Sequence, residues 1–209
     1  MFSLQQLFGK GDRFYQLLEA SAMEAHESVQ LLLQLLRTHG QPANLDEFVL
    51  SRRKEKKIAS EISQELVKTF ITGLEREDIE ALSTALYKIP KSVDKFAERY
   101  TLAAARLGGV DFTRQAELMA KATDTVVALV KQLRDVQKLE QVKELNDRLQ
   151  YLEGEGDKEI VTLLKDLYSG KHEPLTVIAV KDLYELIEKV LDRCRDAGNV
   201  VLQIVLKNA

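Results

Sequence analysis

Carboxylates at helical spacing are the residues of this chain best placed to do chemistry. Glu188, Asp192 and Asp196 recur at every fourth position, which on an α-helix puts them on one face as neighbours about 5–6 Å apart. Glu153 and Asp157 repeat the spacing one helix earlier. Where antiparallel helices bring the two ladders together, the carboxylates converge into a donor set for hard, oxygen-seeking cations, or for iron, manganese or zinc with mixed ligands. The competing reading is a solvated acidic face, with Lys189, Arg193 and Arg195 near enough in sequence to neutralise part of it. Gly154 and Gly156 lie among these acids. A glycine inside a helix costs about 1 kcal/mol relative to alanine, so either a neighbouring helix approaches closely there or the helix breaks.

Other chemistries are poorly served. His26, His39 and His172 each lack a glutamate three residues earlier, so the Glu-x-x-His pairs of di-iron bundles are absent; all three histidines are expected at the surface. The single cysteine, Cys194, rules out an internal disulfide framework and a cysteine zinc cage. It falls in the apolar phase of its helix, as a buried, inert thiol does. Gly9-Lys10-Gly11 lacks the spacing of a phosphate-binding loop. The only dense basic run, Arg52-Arg53-Lys54-Glu55-Lys56-Lys57, is short and has no aromatic interleaving. It reads as a solvated helix face rather than a nucleic-acid or acidic-lipid contact.

These residues must be positioned by helices. In 209 residues, 45% hydrophobic and 30% charged, there are 10 glycines and 3 prolines, too few for a turn-rich β fold. The net charge of -3 argues against bulk nucleic-acid binding. No stretch of about 18 uncharged apolar residues exists, and the start lacks the order of a secretory signal, so a soluble cytoplasmic chain is expected. Apolar residues recur at three- and four-residue intervals, giving helices over about 13–37, 45–70, 75–107, 113–136, 139–168 and 176–206. Phe14, Leu17, Leu18, Ser21, Ala25, Ser28, Leu32, Leu35 and Leu36 form the inward stripe of the first. Phe2, Leu4, Leu7 and Phe8 line a short docked turn before it. His39-Gly40-Gln41-Pro42 ends it, Pro90 should kink the third helix, and Gly108-Gly109 parts the halves. The fold class is all-α.

The halves look related at an offset of roughly 100 residues, the scale of a domain duplication rather than a solenoid repeat. Leu86-Tyr87 recurs as Leu183-Tyr184, and both second helices end near an aromatic residue, Phe70 and Tyr168. The expected architecture is two tandem three-helix bundles, 1–108 and 109–209, packed as one unit.

Three blocks in order carry a family resemblance: Phe14-Tyr15-Gln16-Leu17-Leu18, Phe70-Ile71-Thr72-Gly73-Leu74-Glu75-Arg76-Glu77-Asp78-Ile79, and Lys181 to Glu188 with Asp192-Arg193-Cys194. The chain resembles the PhoU-like proteins encoded beside Pit-type phosphate transporters, the Pit accessory proteins or phosphate transport regulators. Gly73 and Glu75 stand where the family's middle block has proline and aspartate. The resemblance implies two tandem three-helix bundles and a non-catalytic, cytoplasmic regulatory role. The partner would be a Pit-type transporter, met at its cytoplasmic face. It also implies Glu/Asp-x-x-x-Asp motifs able to hold iron or zinc, matched here by Glu153 with Asp157 and Glu188 with Asp192, extended by Asp196. At the aligned first-half positions stand Arg53, Lys57, Tyr87 and Lys91, and the three cations repel a metal. Arg53, Lys57 and Lys91 are expected to neutralise acids such as Glu55 or to hold an anion such as phosphate. A homo-oligomeric helical scaffold and a carboxylate metalloenzyme are the alternative readings.

Overall fold

The computed structural model describes residues 4–37, 45–107, 109–135 and 138–208, with side chains from residue 12 onward. It consists of six α-helices: α1 Leu4–Arg37, α2 Asp46–Lys68, α3 Arg76–Ala103, α4 Thr113–Gln132, α5 Leu139–Leu167 and α6 Pro174–Asn208. A single 3₁₀ turn, Ala104–Arg106, follows α3. No strand occurs among the described residues. The side chains of Phe2, Leu4, Leu7 and Phe8, the stop at 39–42, and Gly108 lie outside them.

The helix limits follow local chemistry. α1 begins at Leu4, before the expected Arg13, and so runs through Gly9 and Gly11. α6 begins at Pro174, a first-turn position where proline's missing N–H costs nothing. Before it, Gly170 takes a left-handed φ of 82° and turns the chain back from α5. α3 continues through Pro90, which is buried within it. Gly109, at φ 81°, directs the chain out of the turn after α3.

α1, α3, α6 and α4 form a closed ring of packed neighbours; α2 lies only against α1 and α3, and α5 only against α4 and α6. The buried side chains of all six helices make one continuous apolar cluster. Along α1 the inward stripe is buried as expected, Leu35 only in part. Phe112, on the connector between α3 and α4, fastens the ring: its ring lies 5.6 Å from Phe96 of α3 and 5.7 Å from Tyr184 of α6. At the opposite end Arg134 bonds Glu19 at 2.5 Å and also Asp12, fixing the end of α4 to α1. Lys207 bonds Asp78 at 2.7 Å and Glu75 at 3.1 Å, fixing the end of α6 to the start of α3. No helix among the described residues is long and apolar enough to cross a membrane.

Candidate functional site

The two acidic ladders do meet, across the α5–α6 contact. Gly156 leaves room for it: a Cβ built there would press on the terminal methyl of the Leu191 side chain of α6. Gly198 does the same one step along, where a Cβ would meet Leu149 and lie 2.8 Å from the Asn146 Oδ1. Gly154 faces open space, so close approach explains Gly156 and not Gly154. The approach places Glu188 in the field of Asp157, Asp192, Glu185 and Glu153; partial burial, then those carboxylates, hold its pKa above the ordinary range.

Arg195 sits within this group. Its guanidinium bonds Glu153 across the helices, lies 2.9 Å from Asp192 and 3.5 Å from Asp196. Arg193 also reaches Asp196 at 3.1 Å. Three of the five expected ligands are therefore neutralised by the protein's own arginines, and Asp157 and Glu188 pair with no described base. Among the described residues no group of three acidic, histidine or cysteine side chains is arranged to hold a metal ion. As arranged, the donor set suits a guanidinium better than a metal.

The first half is built differently. Arg53, Lys57 and Lys91 are all exposed, and Lys57 lies 3.9 Å from Glu61 on its own helix. The α2 cation that turns inward is Arg52, one position before the expected one. It is buried, stands 4.7 Å above the Tyr87 ring and reaches Asp94 of α3 at 3.7 Å. The basic run is thus not a solvated face throughout. Glu55 in its middle is fully buried, accepts a 2.8 Å bond from the Ser21 hydroxyl of α1, and has Arg52 as the cation in its field. Burial pushes its pKa from 4.5 up to about 7, the Ser21 bond opposes this, and Glu24 adds to it.

Around Glu55 lies a polar group that the spacing of acids and bases does not announce. Glu24 and Ser51 are buried, and Glu24 Oε1, Ser51 Oγ, Glu55 Oε2 and Arg52 Nη1 have no hydrogen-bond partner among the described residues. Glu24 and Ser51 line a cavity of about 380 Å³ between α1 and α2, together with Glu27, Glu47, Leu50 and Lys54. The Lys54 ammonium lies 3.8 Å from both Glu24 and Glu27. A sequence signal did exist: Ser21 and Ser28 fall on the inward phase of α1, and Ser51 and Glu55 sit four residues apart on α2.

Of the remaining expectations, Cys194 is buried as a free thiol, and burial pushes its pKa up, out of reach of nucleophilic chemistry. His26 is not a surface residue: it lies half-buried between α1 and α4, 3.2 Å from Thr123 Oγ1 and 3.4 Å from Asp124. His172 lies 3.3 Å from Asp166 in the loop before α6, and His39 falls outside the described residues.

Comparison with known proteins places this geometry. No family model matches the chain. Over 98% of its length it is 24% identical to a Rhizobium meliloti protein described as a pit accessory protein, 97% of which is matched. Over 70% of its length it is 23% identical to the UPF0111 protein YkaA of Bacillus subtilis, 71% of which is matched. Two solved structures of PhoU-like proteins from Shewanella oneidensis, one described as a phosphate regulatory protein, superpose on 93% of the chain and 99% of their own lengths. Their TM-scores are 0.76 and 0.75, at 17% and 16% identity. The fold is the PhoU-like fold, and the sequence resembles that of the pit accessory protein from end to end.

Proposed function

We propose that this chain is a non-catalytic accessory protein of phosphate transport, acting in the cytoplasm by docking on the cytoplasmic face of a Pit-type phosphate transporter. The observation that carries the reading is the match to the pit accessory protein across 98% of the chain, on a fold shared with a phosphate regulatory protein. The chemistry of the interior agrees with a binding role. The thiol is buried and each described histidine is held by hydrogen-bonding neighbours. Co-purification tests it: the tagged chain is expected to retain a co-expressed Pit-type transporter through washing, and retention no greater than that of an unrelated membrane protein overturns the reading.

Metal loading at Glu153, Asp157, Glu188, Asp192 and Asp196 is compatible with this reading in one form. An iron or zinc ion exchanges with the Arg195 guanidinium, since the two compete for the same carboxylates. Elemental analysis of the purified chain and of Arg195→Met, each with and without Glu188→Ala and Asp192→Ala, decides it. Metal retained by the first two and lost with the acids supports exchange; no metal in any of them removes it.

Self-association is a second reading, favoured by one observation. Leu102 at the end of α3 and Leu175 and Ile178 at the start of α6 are exposed at the same end of the molecule. Sedimentation of the wild type against Leu102→Ser with Ile178→Ser tests it, with a dimer expected to fall to a monomer.

A further inference from the structure

The last turn of α2 and the loop after it present the most exposed large apolar group among the described residues. Phe70 is 100% exposed, Val67 84% and Ile71 65%. Apolar residues scattered singly over a surface need no explanation, whereas contiguous ones held out of the core mark a contact surface.

This one is held out by construction. Arg76 reaches back from the start of α3 and donates two hydrogen bonds to carbonyls at the end of α2, to Thr69 O at 2.8 Å and to Leu66 O at 2.5 Å. Those carbonyls are among the last of a helix, which no backbone N–H of its own satisfies. The Thr72 hydroxyl donates to Leu74 O at 2.6 Å. Thr69 and Leu74 are buried on either side of the exposed pair. Lys207 anchors the first turn of α3 beneath. The chain is therefore pinned on both sides of Phe70 and Ile71. A rigid apolar tip loses little conformational freedom on binding, which is where affinity is otherwise spent.

The surroundings select the occupant. The turn runs from the end of α2, where Lys68 pairs with Glu65, directly into the start of α3, where Lys207 pairs with Glu75, Arg76 bonds the α2 carbonyls, and exposed Glu77 and Glu80 pair with no described base. Those two carboxylates are repelled by the anionic lipid of a cytoplasmic leaflet. They are attracted to the cytoplasmic loops of a membrane protein, which carry an excess of lysine and arginine. We propose that the Val67–Ile71 turn is the docking element of this chain, its tip entering an apolar pocket rimmed by basic residues on the cytoplasmic face of the transporter. The inference rests on the transporter reading above and assigns it a surface.

The test is the affinity of the full-length chain for the purified, detergent-solubilised Pit-type transporter, with unfolding temperature measured in parallel. Phe70→Ser with Ile71→Ser removes only solvent-exposed groups, so it is expected to leave the unfolding temperature unchanged and to weaken binding by about 30-fold or more, as loss of a central aromatic anchor does. Glu77→Lys with Glu80→Lys is expected to weaken binding and to reduce its dependence on salt. Wild-type binding that survives the Phe70/Ile71 change overturns the docking element and leaves the transporter reading standing. Absence of wild-type binding overturns both. Binding of the wild type to transporter-free vesicles of anionic phospholipid, lost in the Phe70/Ile71 variant, makes the turn a lipid contact and overturns the protein pocket.

Discussion

α2 and α5 occupy corresponding places, each laid across one pair of ring helices, yet they solve the same packing problem in opposite ways. α5 turns Val142, Leu149, Leu152, Gly156 and Ile160 inward and keeps its acids at the rim. There Glu153 is partly covered and bonds Arg195 from α6, while Asp157 pairs with no described base. α2 turns Ser51, Arg52 and Glu55 inward together with Phe48, Ile62 and Leu66. Two of its charges, Arg52 and Glu55, are thus inside the fold, matched by Ser21, Asp94 and the Tyr87 ring. A rim charge is screened by water and is worth little to stability. A buried charge must be paired or neutralised, and its protonation state becomes part of the folding equilibrium. α5 therefore keeps its charges at the rim, while α2 commits Arg52 and Glu55 to the fold.

The difference is sharpest in the response to pH. Glu55 titrates near 4.5 when unfolded and near 7 when folded. Below about 4.5 both states are protonated and its burial carries no ionisation cost. As pH rises toward 7 the unfolded chain ionises first, so stability declines, by about 3 kcal/mol at most, and is flat above 7. Glu55→Gln is expected to abolish that decline and to unfold at a higher denaturant concentration than the wild type at pH 8, with little difference at pH 4.5. Equal pH dependence in the two proteins would place the ionisable burden elsewhere.

A smaller effect is expected from the α5–α6 seam. Gly198→Val forces a side chain against Leu149, Asn146 and Leu129 and should destabilise by about 2 kcal/mol. Gly154→Ala, in open space on the same pair of helices, should stabilise by about 0.5–1 kcal/mol through helix propensity. Chemical denaturation measures both, and a shared sign would remove the close-approach account of these glycines. The smallest effect belongs to the rim: Arg195→Met should cost less than about 1 kcal/mol while raising the Glu188 pKa further, because it uncovers Glu153, Asp192 and Asp196. Carbon-detected NMR titration of the carboxyls reads that shift, and an unmoved Glu188 would mean that the two ladders do not share a field.

The helices were legible because their apolar period is long and unbroken; α1, α3 and α6 each bury one side of nearly every turn. The meeting of the two acidic ladders was legible as well, since spacing of four puts Glu153 with Asp157 and Glu188 with Asp192 on single faces. Lys189, Arg193 and Arg195 were legible as neutralising bases, but spacing does not distinguish them, and the bridge from Arg195 across to Glu153 came from the packing. The first half was harder. Arg52 and Glu55 belong to a run of charges that looks solvated, and only their phase relative to Phe48, Ile62 and Leu66 separates them from Arg53, Lys54 and Lys57. The Phe70 tip was legible as part of the family-like block, but not as exposed, because Thr69 and Leu74 on either side of it are buried and apolarity alone does not distinguish them.

The regulatory role itself is tested most directly by phosphate flux. Vesicles carrying the Pit-type transporter, with the purified chain supplied to the cytoplasmic face, are expected to change their phosphate transport rate along a saturable curve in chain concentration, and Phe70→Ser with Ile71→Ser is expected to displace that curve to higher concentration. A rate that does not change at any concentration of the chain would contradict a role in regulating transport.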